Sequence, residues 1–216
     1  MDIIILSNAH TPELKQLTEQ TIESCKTSDT VNFKFFIVEH NTGVKYTELT
    51  LQQMGDFNYN RLMNFGIKQG NSEFIAMCNN DLLFHKGWAS KITEAMNKHN
   101  LLSACPVCPN VQGNKYRQEI VYGYNIREQV SGWCIVIKRD LLKTIGEIKW
   151  HPELPFWYSD NIFMRQLQKH GIKHALVTNS IVTHIGSKTI HTKPNSREWM
   201  HDSYPKFKKL CDEGII

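Results

Sequence analysis

Three short apolar runs, each followed by a helical pattern, occupy the first 100 residues. "IIIL" at 3–6 precedes "TPELKQLTEQTIESC", where Thr11 is placed to cap and Pro12 suits the first helical position. Leu14, Leu17, Thr21 and Cys25 then share one helical face. "FKFFIVE" at 33–39 reads as a second strand. "FNYNRLMNFGIKQG" at 57–70 reads as a helix with Leu62, Met63, Gly66 and Ile67 together and Gly70 as its stop. "EFIAMC" is a third strand, and 87–99 a helix with Trp88, Ile92, Ala95 and Met96 on one side. Parallel neighbours need a crossover, and a crossover helix covers the sheet. The alternation therefore predicts an α/β fold with a mostly parallel central sheet flanked by helices on both faces.

The later sequence is less regular. Residues 101–130 carry loop signals and weak strands, and "WCIVIKRDLLKTIG" at 133–146 reads as a strand and a short helix ended by Gly146. "SDNIFMRQLQKHG" at 159–171 reads as a helix that Ser159 or Asp160 begins and Gly171 ends, and "HALVT" and "IVTHI" as two short strands. The tail, 195–211, is amphipathic and rich in lysine. No repeat or interdomain linker interrupts the chain. The expectation is one domain over 1–216, with a nucleotide-binding half (1–100), an acceptor and catalytic half (101–190) and a basic C-terminal segment (191–216).

The 216 residues are 41% hydrophobic and 21% charged, ordinary for a globular protein. No run approaches the ~18 apolar residues of a membrane span, and "MDIIILSNAH" lacks a basic leader region, which points to the cytoplasm, or a host's cytoplasm if the chain is viral. Six scattered cysteines are too few for a disulfide scaffold. "CPVC" at 105–108 has no second half-site and, with Pro106 and Pro109, is expected to be an extended loop carrying plain thiols. The formal charge of +4 favours an anionic partner only mildly.

In an open parallel sheet, ligands sit beyond the carboxyl ends of the strands. Those positions hold Ser7, Asn8 and His10 after the first strand, Glu39, His40 and Asn41 after the second, Asn79, Asn80 and Asp81 after the third, and His184 at the end of "IVTH". There is no G-x-G-x-x-G after the first strand, no G-x-x-x-x-G-K-[ST] and no G-x-S-x-G. Dinucleotide dehydrogenases, P-loop NTPases and α/β-hydrolases are thereby disfavoured.

The order of these parts resembles the GT-A nucleotide-sugar glycosyltransferases, in particular the inverting family-2 type, over roughly residues 2–190. "IIILSNAH" looks like the family's opening strand and "IVEHNTG" like its base-reading turn, with Glu39 at the acidic position. "NRLMNFGIKQGNSEFIAMCNND" looks like the helix, turn and strand leading to the D-x-D motif, here Asn79-Asn80-Asp81. "SGWCIVIKRDLLKTIG" looks like the acceptor-side segment, "FWYSDNIFMRQLQKHG" like the segment with the catalytic base, and "IVTHIGSKT" like the late strand with a metal-ligand histidine. Two departures stand out: Asn79 replaces the first acid of D-x-D, and Ser159-Asp160 leaves one carboxylate in the base segment.

The resemblance implies an enzyme that moves a sugar from a nucleoside-diphosphate donor, UDP-sugar foremost, to an acceptor hydroxyl with inversion. It implies Mn²⁺ or Mg²⁺ on Asp81 and His184, since the departing diphosphate needs a cation and Mn²⁺ accepts imidazole. Asp160 is the implied base, or alternatively a helix cap, and a helix N-terminus would lower its pKa. The implied donor contacts are Ser7, Asn8, Glu39, Asn41, Arg61, Asn64, Asn79, Asn80 and Lys188. Glu39, Arg61 and Lys188 also fit solvated charges. Trp133, Trp157 and Tyr158 suit either the core or stacking on sugar and acceptor.

The acceptor is least determined. Lys193, Arg197, Lys206, Lys208 and Lys209 interleave with Trp199, Tyr204 and Phe207, a pattern that could contact nucleic acid. A hydroxymethylated DNA base, as for phage DNA-modifying members of the family, and an envelope glycan both stay open. So do two other classes: a non-catalytic nucleic-acid- or glycan-binding module on a decayed glycosyltransferase fold, and a nucleotidyltransferase.

Overall fold

The computed structural model describes residues 1–113, 115–186 and 196–216. Among them lie nine strands: β1 Asp2–Ser7, β2 Lys34–His40, β3 Leu49–Gln53, β4 Phe74–Asn79, β5 Leu82–Phe84, β6 Ser103–Val107, β7 Ile120–Tyr122, β8 Cys134–Lys138 and β9 His174–His184. The helices are α1 Pro12–Ser28, α2 Tyr59–Ile67, α3 Trp88–Lys98, α4 Leu141–Ile145, α5 Ser159–Lys169 and α6 Ser196–Asp212. The strands run in the order β3-β2-β1-β4-β8-β6-β9-β5, with β7 also on β9. β3, β2, β1 and β4 are parallel to one another, and β6 is parallel to β9. β8 enters antiparallel between β4 and β6. The expected α/β fold, a parallel sheet with helices on both faces, is the observed one, and the less regular later half is where the antiparallel pairings fall.

β1 is buried along its whole length, as a central strand covered on both faces must be. Ile3 and Ile5 face a core layer with α1 and α3, including Ile22, Trp88, Ile92 and Met96. Ile4 and Leu6 face the other, with Leu62, Met63 and Ile67 of α2 and Phe163 and Leu167 of α5. α1 begins as its sequence dictates: the Thr11 hydroxyl accepts from Leu14 N at 3.3 Å.

Several local expectations change. α2 ends at Ile67, not at Gly70. Gly70 instead lets Asp2 approach, since a methyl group there would stand 2.1 Å from Asp2 Oδ2. Asp2, wholly buried, pairs with Arg139 at 2.6 Å. "CPVC" is not a loop: its first three residues belong to β6, and both cysteines are buried. Pro106 is accommodated where the β6–β9 register shifts, because a bulge spares the missing N–H. That same irregularity made β9 read as two strands. The polar edge strand β3 and the three-residue β5 are additions to the expected strands, and β7 is one of the weak strands expected within 101–130. The base-segment helix is capped by neither Ser159 nor Asp160; Tyr158 is the cap residue, at φ 68°. No helix among the described residues is long and apolar enough to cross a membrane.

Three asparagines of one helix end fasten α2 to residues 145–159. Asn58 Nδ2 donates to His151 O, and Asn60 Nδ2 to Lys149 O and Ser159 O. Asn64 donates to Ile148 O at 2.7 Å and accepts from Ile148 N at 3.0 Å. A donor-binding role for Asn64 is corrected by this geometry, since the buried amide spends both its ends on the backbone. Each buried group stranded without a partner costs about 1–3 kcal/mol. Asn64→Ala should therefore lower unfolding stability by about 2–4 kcal/mol, seen as a lower urea midpoint at unchanged slope.

Candidate active site

The site assembles at the carboxyl ends of β1, β2 and β4. β4 closes on Asn79, the chain passes through Asn80 and Asp81, and β5 starts at Leu82, directly opposite His184 of β9. Asp81 is 3% exposed, and its Oδ1 stands 3.1 Å from His184 Nε2. Among the described residues neither atom has a hydrogen-bond partner. Their approach is at ion-pair distance without the geometry of a hydrogen bond. A divalent cation fits this donor set, one carboxylate and one imidazole, each otherwise orphaned.

The other two residues of the motif serve differently. Asn79 Oδ1 accepts from Tyr59 OH at 3.0 Å. Asn80, 6% exposed, turns away into α1, where its Nδ2 donates to Thr18 Oγ1 at 3.0 Å. Asn80 is therefore no donor contact but a peg in the protein interior.

Asp160 lies at the first turn of α5. Its Oδ1 accepts from Asn161 N at 2.9 Å. Its Oδ2 lies against Gly132, where a methyl group would stand only 2.4 Å away. Tyr59, Asn60, Met77, Gly132, Ser159 and Asp160 line a small cavity of about 20 Å³, room for one water. Burial pushes the Asp160 carboxyl above the usual carboxylate range, outweighing the lowering by the backbone N–H of Asn161. The lowering expected from the helix N-terminus is thus overcome by desolvation.

Residues 132–133 join the two halves. Trp133, next to the glycine under Asp160, stacks on His184 with ring centroids 5.0 Å apart and planes 3° from parallel. Trp133 O accepts from Asn79 N at 2.9 Å. The tryptophan expected at the acceptor therefore supports the histidine. Tyr59, not foreseen from sequence, spans the same gap. Its phenol is pushed well above its ordinary value by burial first, with Cys78, Asp160, Cys134 and Asp81 adding to it.

The residues beyond β1 and β2 form a connected polar cluster. Glu39 is fully buried, not solvated; it accepts from Ala9 N at 2.8 Å, Thr42 Oγ1 at 2.5 Å and Tyr46 OH at 3.0 Å. The Tyr46 phenol, pushed up to about 12 chiefly by burial, also meets Ser7 Oγ at 3.0 Å. Asn8 Nδ2 donates to His40 O. Asn41, at φ 61°, grips Gly55 N and Gly55 O at 3.0 Å each, so its amide holds a turn rather than standing free for a ligand. Arg61 donates to Asp56 O. Lys188 lies outside the described residues, as do Lys193 and the side chains of Arg197 and Trp199.

On the acceptor side, Trp157 meets Phe156 edge-on at 5.6 Å. Tyr158 stacks on Phe207 of α6 at 4.7 Å and packs with Leu154, Ile162 and Leu210, which makes it part of a small core rather than an open platform. The basic excess of the tail is small, five basic to four acidic side chains over 191–216, and Lys208 and Lys209 pair with Asp212 and Glu213.

Placing an alanine at Gly132 should drive the Asp160 carboxylate from its seat. Gly132→Ala is expected to fold and to shift that carboxylate, which melting and a crystal structure of the variant would establish.

The sequence of residues 3–169 matches the model of the family described as Glycosyl transferase family 2. No curated protein sequence matches the chain. Among solved structures, Staphylococcus aureus TarS (residues 1–349) superposes with a TM-score of 0.63 at 13% identity, over 84% of this chain and 58% of that one. GalNAc-T7, determined with UDP, GalNAc and Mn²⁺, superposes with a TM-score of 0.65 at 11% identity, over 85% of this chain and 42% of that one. At those identities the two structures speak for the fold, which is the GT-A arrangement, and this chain spans only about half the length of either. With the family model covering most of the chain, from β1 to the end of α5, the chain belongs to glycosyl transferase family 2 and carries a GT-A glycosyltransferase domain.

Proposed function

We propose that the chain moves a sugar from a nucleoside-diphosphate donor, UDP-sugar foremost, to an acceptor hydroxyl with inversion, and that it does so with Mn²⁺ or Mg²⁺ on Asp81 and His184. The observation that carries this is the pair of buried, unpartnered atoms, Asp81 Oδ1 and His184 Nε2, at 3.1 Å. An imidazole donor favours Mn²⁺ over Mg²⁺, and UDP and Mn²⁺ are what the structure of GalNAc-T7 holds. Bound there, the cation supplies Lewis-acid stabilisation of the departing diphosphate.

The chain's own groups do the rest. Asp160 accepts the proton of the acceptor hydroxyl as the new oxygen–carbon bond forms and the sugar–diphosphate bond breaks, its electron pair leaving with the diphosphate. A carboxylate raised in pKa by burial is a better base than a solvated one. Gly132 fixes its direction, and Trp133 holds the His184 ring flat. The acceptor retained is a saccharide hydroxyl, because two lysines of α6 are paired with acids, Lys208 with Asp212 and Lys209 with Glu213, which weakens α6 as a cationic track for a DNA strand.

Melting of the protein with a panel of nucleoside diphosphates, each with and without Mn²⁺, tests the donor site. A ligand at 100 times its Kd stabilises by about 2.7 kcal/mol. A Mn²⁺-dependent shift with one nucleotide, lost in Asp81→Ala, is expected. No shift with any nucleotide would leave a binding module without a donor site. Asp160→Asn should keep the nucleotide shift and lose about 10²–10⁴-fold in transfer rate.

The pH dependence follows from the direction of the Asp160 shift. The base works deprotonated, so the acid limb of kcat/KM should lie above the ~3.9 of a solvated aspartate. The folded state holds this proton more tightly than the unfolded chain, so its contribution to stability is present at low pH and lost as pH rises through the raised value. Asp160→Asn should accordingly be the more stable protein at neutral pH, which calorimetry at pH 4 and pH 7 would read.

A further inference from the structure

Thr21 has no part in the chemistry described so far, yet it grips the chain on both sides of Asp81. Its side chain is wholly buried on α1. The hydroxyl lies 2.9 Å from Asn80 O and 3.1 Å from Leu82 O, and accepts from Leu82 N at 3.0 Å. Its one proton is shared between the two carbonyls that flank Asp81. One turn earlier, Thr18 Oγ1 accepts from Asn80 Nδ2 at 3.0 Å and donates to Leu14 O at 3.1 Å. On its far side, Asp81 is held by β9, through Ile185 N to Asp81 O at 2.9 Å and the pairing of Leu82 with His184. The Asp81 main chain is thus clamped between α1 and the strand that carries the histidine.

We infer that Thr21 is a positioning residue for the metal pair, setting the Asp81 carboxylate at its short separation from His184. The inference rests on the metal reading above. A carboxylate and an imidazole can share one cation only if their backbones keep register, and among the described residues no third group stands by to correct an error. The motif has already lost one acid at Asn79, so the burden of position falls on Asp81. Groups that orient metal ligands typically govern 10–100-fold in affinity. A hydroxyl that bonds three main-chain atoms around one ligand is such a group, and Asn80 adds a second fastening through Thr18.

Thr21→Val keeps the shape and removes the hydroxyl, and Thr21→Ser keeps the hydroxyl and removes the methyl. Mn²⁺ is titrated into each purified protein with UDP present, and free Mn²⁺ is read by its electron paramagnetic resonance signal. Melting without Mn²⁺ is recorded in parallel. The expected result is a Mn²⁺ Kd raised at least tenfold in Thr21→Val and within threefold of the parent in Thr21→Ser, whatever their melting temperatures. An unchanged Kd in a folded Thr21→Val would make the hydroxyl merely structural and overturn the inference. Should Thr21→Val not fold, Thr21→Cys, which keeps a weak donor of similar size, is read by the same tenfold criterion. Asp81→Asn is the control. If it too leaves Mn²⁺ binding unchanged, the metal reading itself falls and this inference with it, whereas loss in Asp81→Asn alone overturns only the role of Thr21.

Discussion

The active site depends on the antiparallel entry of β8 beside β4. Four strands ahead of it are parallel, so their carboxyl ends gather on one edge. Were β8 parallel as well, its last residues would lie at that edge. Because it runs the other way, its beginning does, and Cys78 of β4 faces Cys134 of β8. The residues just before β8, Gly132 and Trp133, are thereby delivered between Asp160 and His184. One reversal of strand direction brings Asp160 on α5 and His184 on β9 to a single segment. Neither is close to the other in sequence, and no helix dipole or loop closure is needed to join them.

The two ends of the sheet solve their electrostatics in opposite ways. At the amino end of β1, Asp2 is fully buried but satisfied, by Arg139 and by Ser72 N and Oγ. Removing one partner of such a pair would be costly, but the pair asks nothing of a ligand. At the carboxyl end, Glu39 is likewise satisfied by three donors. It orders the loops beyond β1 and β2, through Tyr46 and Ser7, before any nucleoside arrives. Preorganisation of that kind reduces what binding must spend on ordering.

Much of this was legible in the sequence. Runs such as "IIIL" and "EFIAMC" separated by helical periodicity state a covered parallel sheet, because only buried central strands are apolar on both faces. Strand ends then locate Asp81 and His184. What was not legible has physical reasons. Asn64 and Asn80 look like ligand groups in a sequence, but an amide serves a buried backbone equally well, and only the partner distinguishes the two. Gly132 carries no side chain to signal its importance, which lies in the space it leaves for Asp160. The lysines of α6 suggest a cationic face, whereas Lys208 and Lys209 are paired with Asp212 and Glu213. The desolvation of Asp160 depends on Gly132, Met77 and Phe163, which come from three separate elements.

Orphaned polar atoms are not confined to the site, so their existence alone cannot single it out. Trp88, Trp133 and Trp157 each leave an indole N–H buried without a partner, and His174 leaves Nε2 so. Those groups are neutral: burial depresses His174 to about 4, keeping its imidazole uncharged. A neutral orphan costs about 1–3 kcal/mol, and a stranded charge more. Asp81 is the one carboxylate among the described residues in this condition, and its orphaned oxygen faces another orphan. Two isolated defects would be unlinked in space. Here they converge at 3.1 Å, between a backbone clamped by Thr21 and a ring held flat by Trp133. A fold that satisfies Asp2 and Glu39 so fully has the means to satisfy Asp81. On the proposed function, the open valence is the one that a cation and its diphosphate complete.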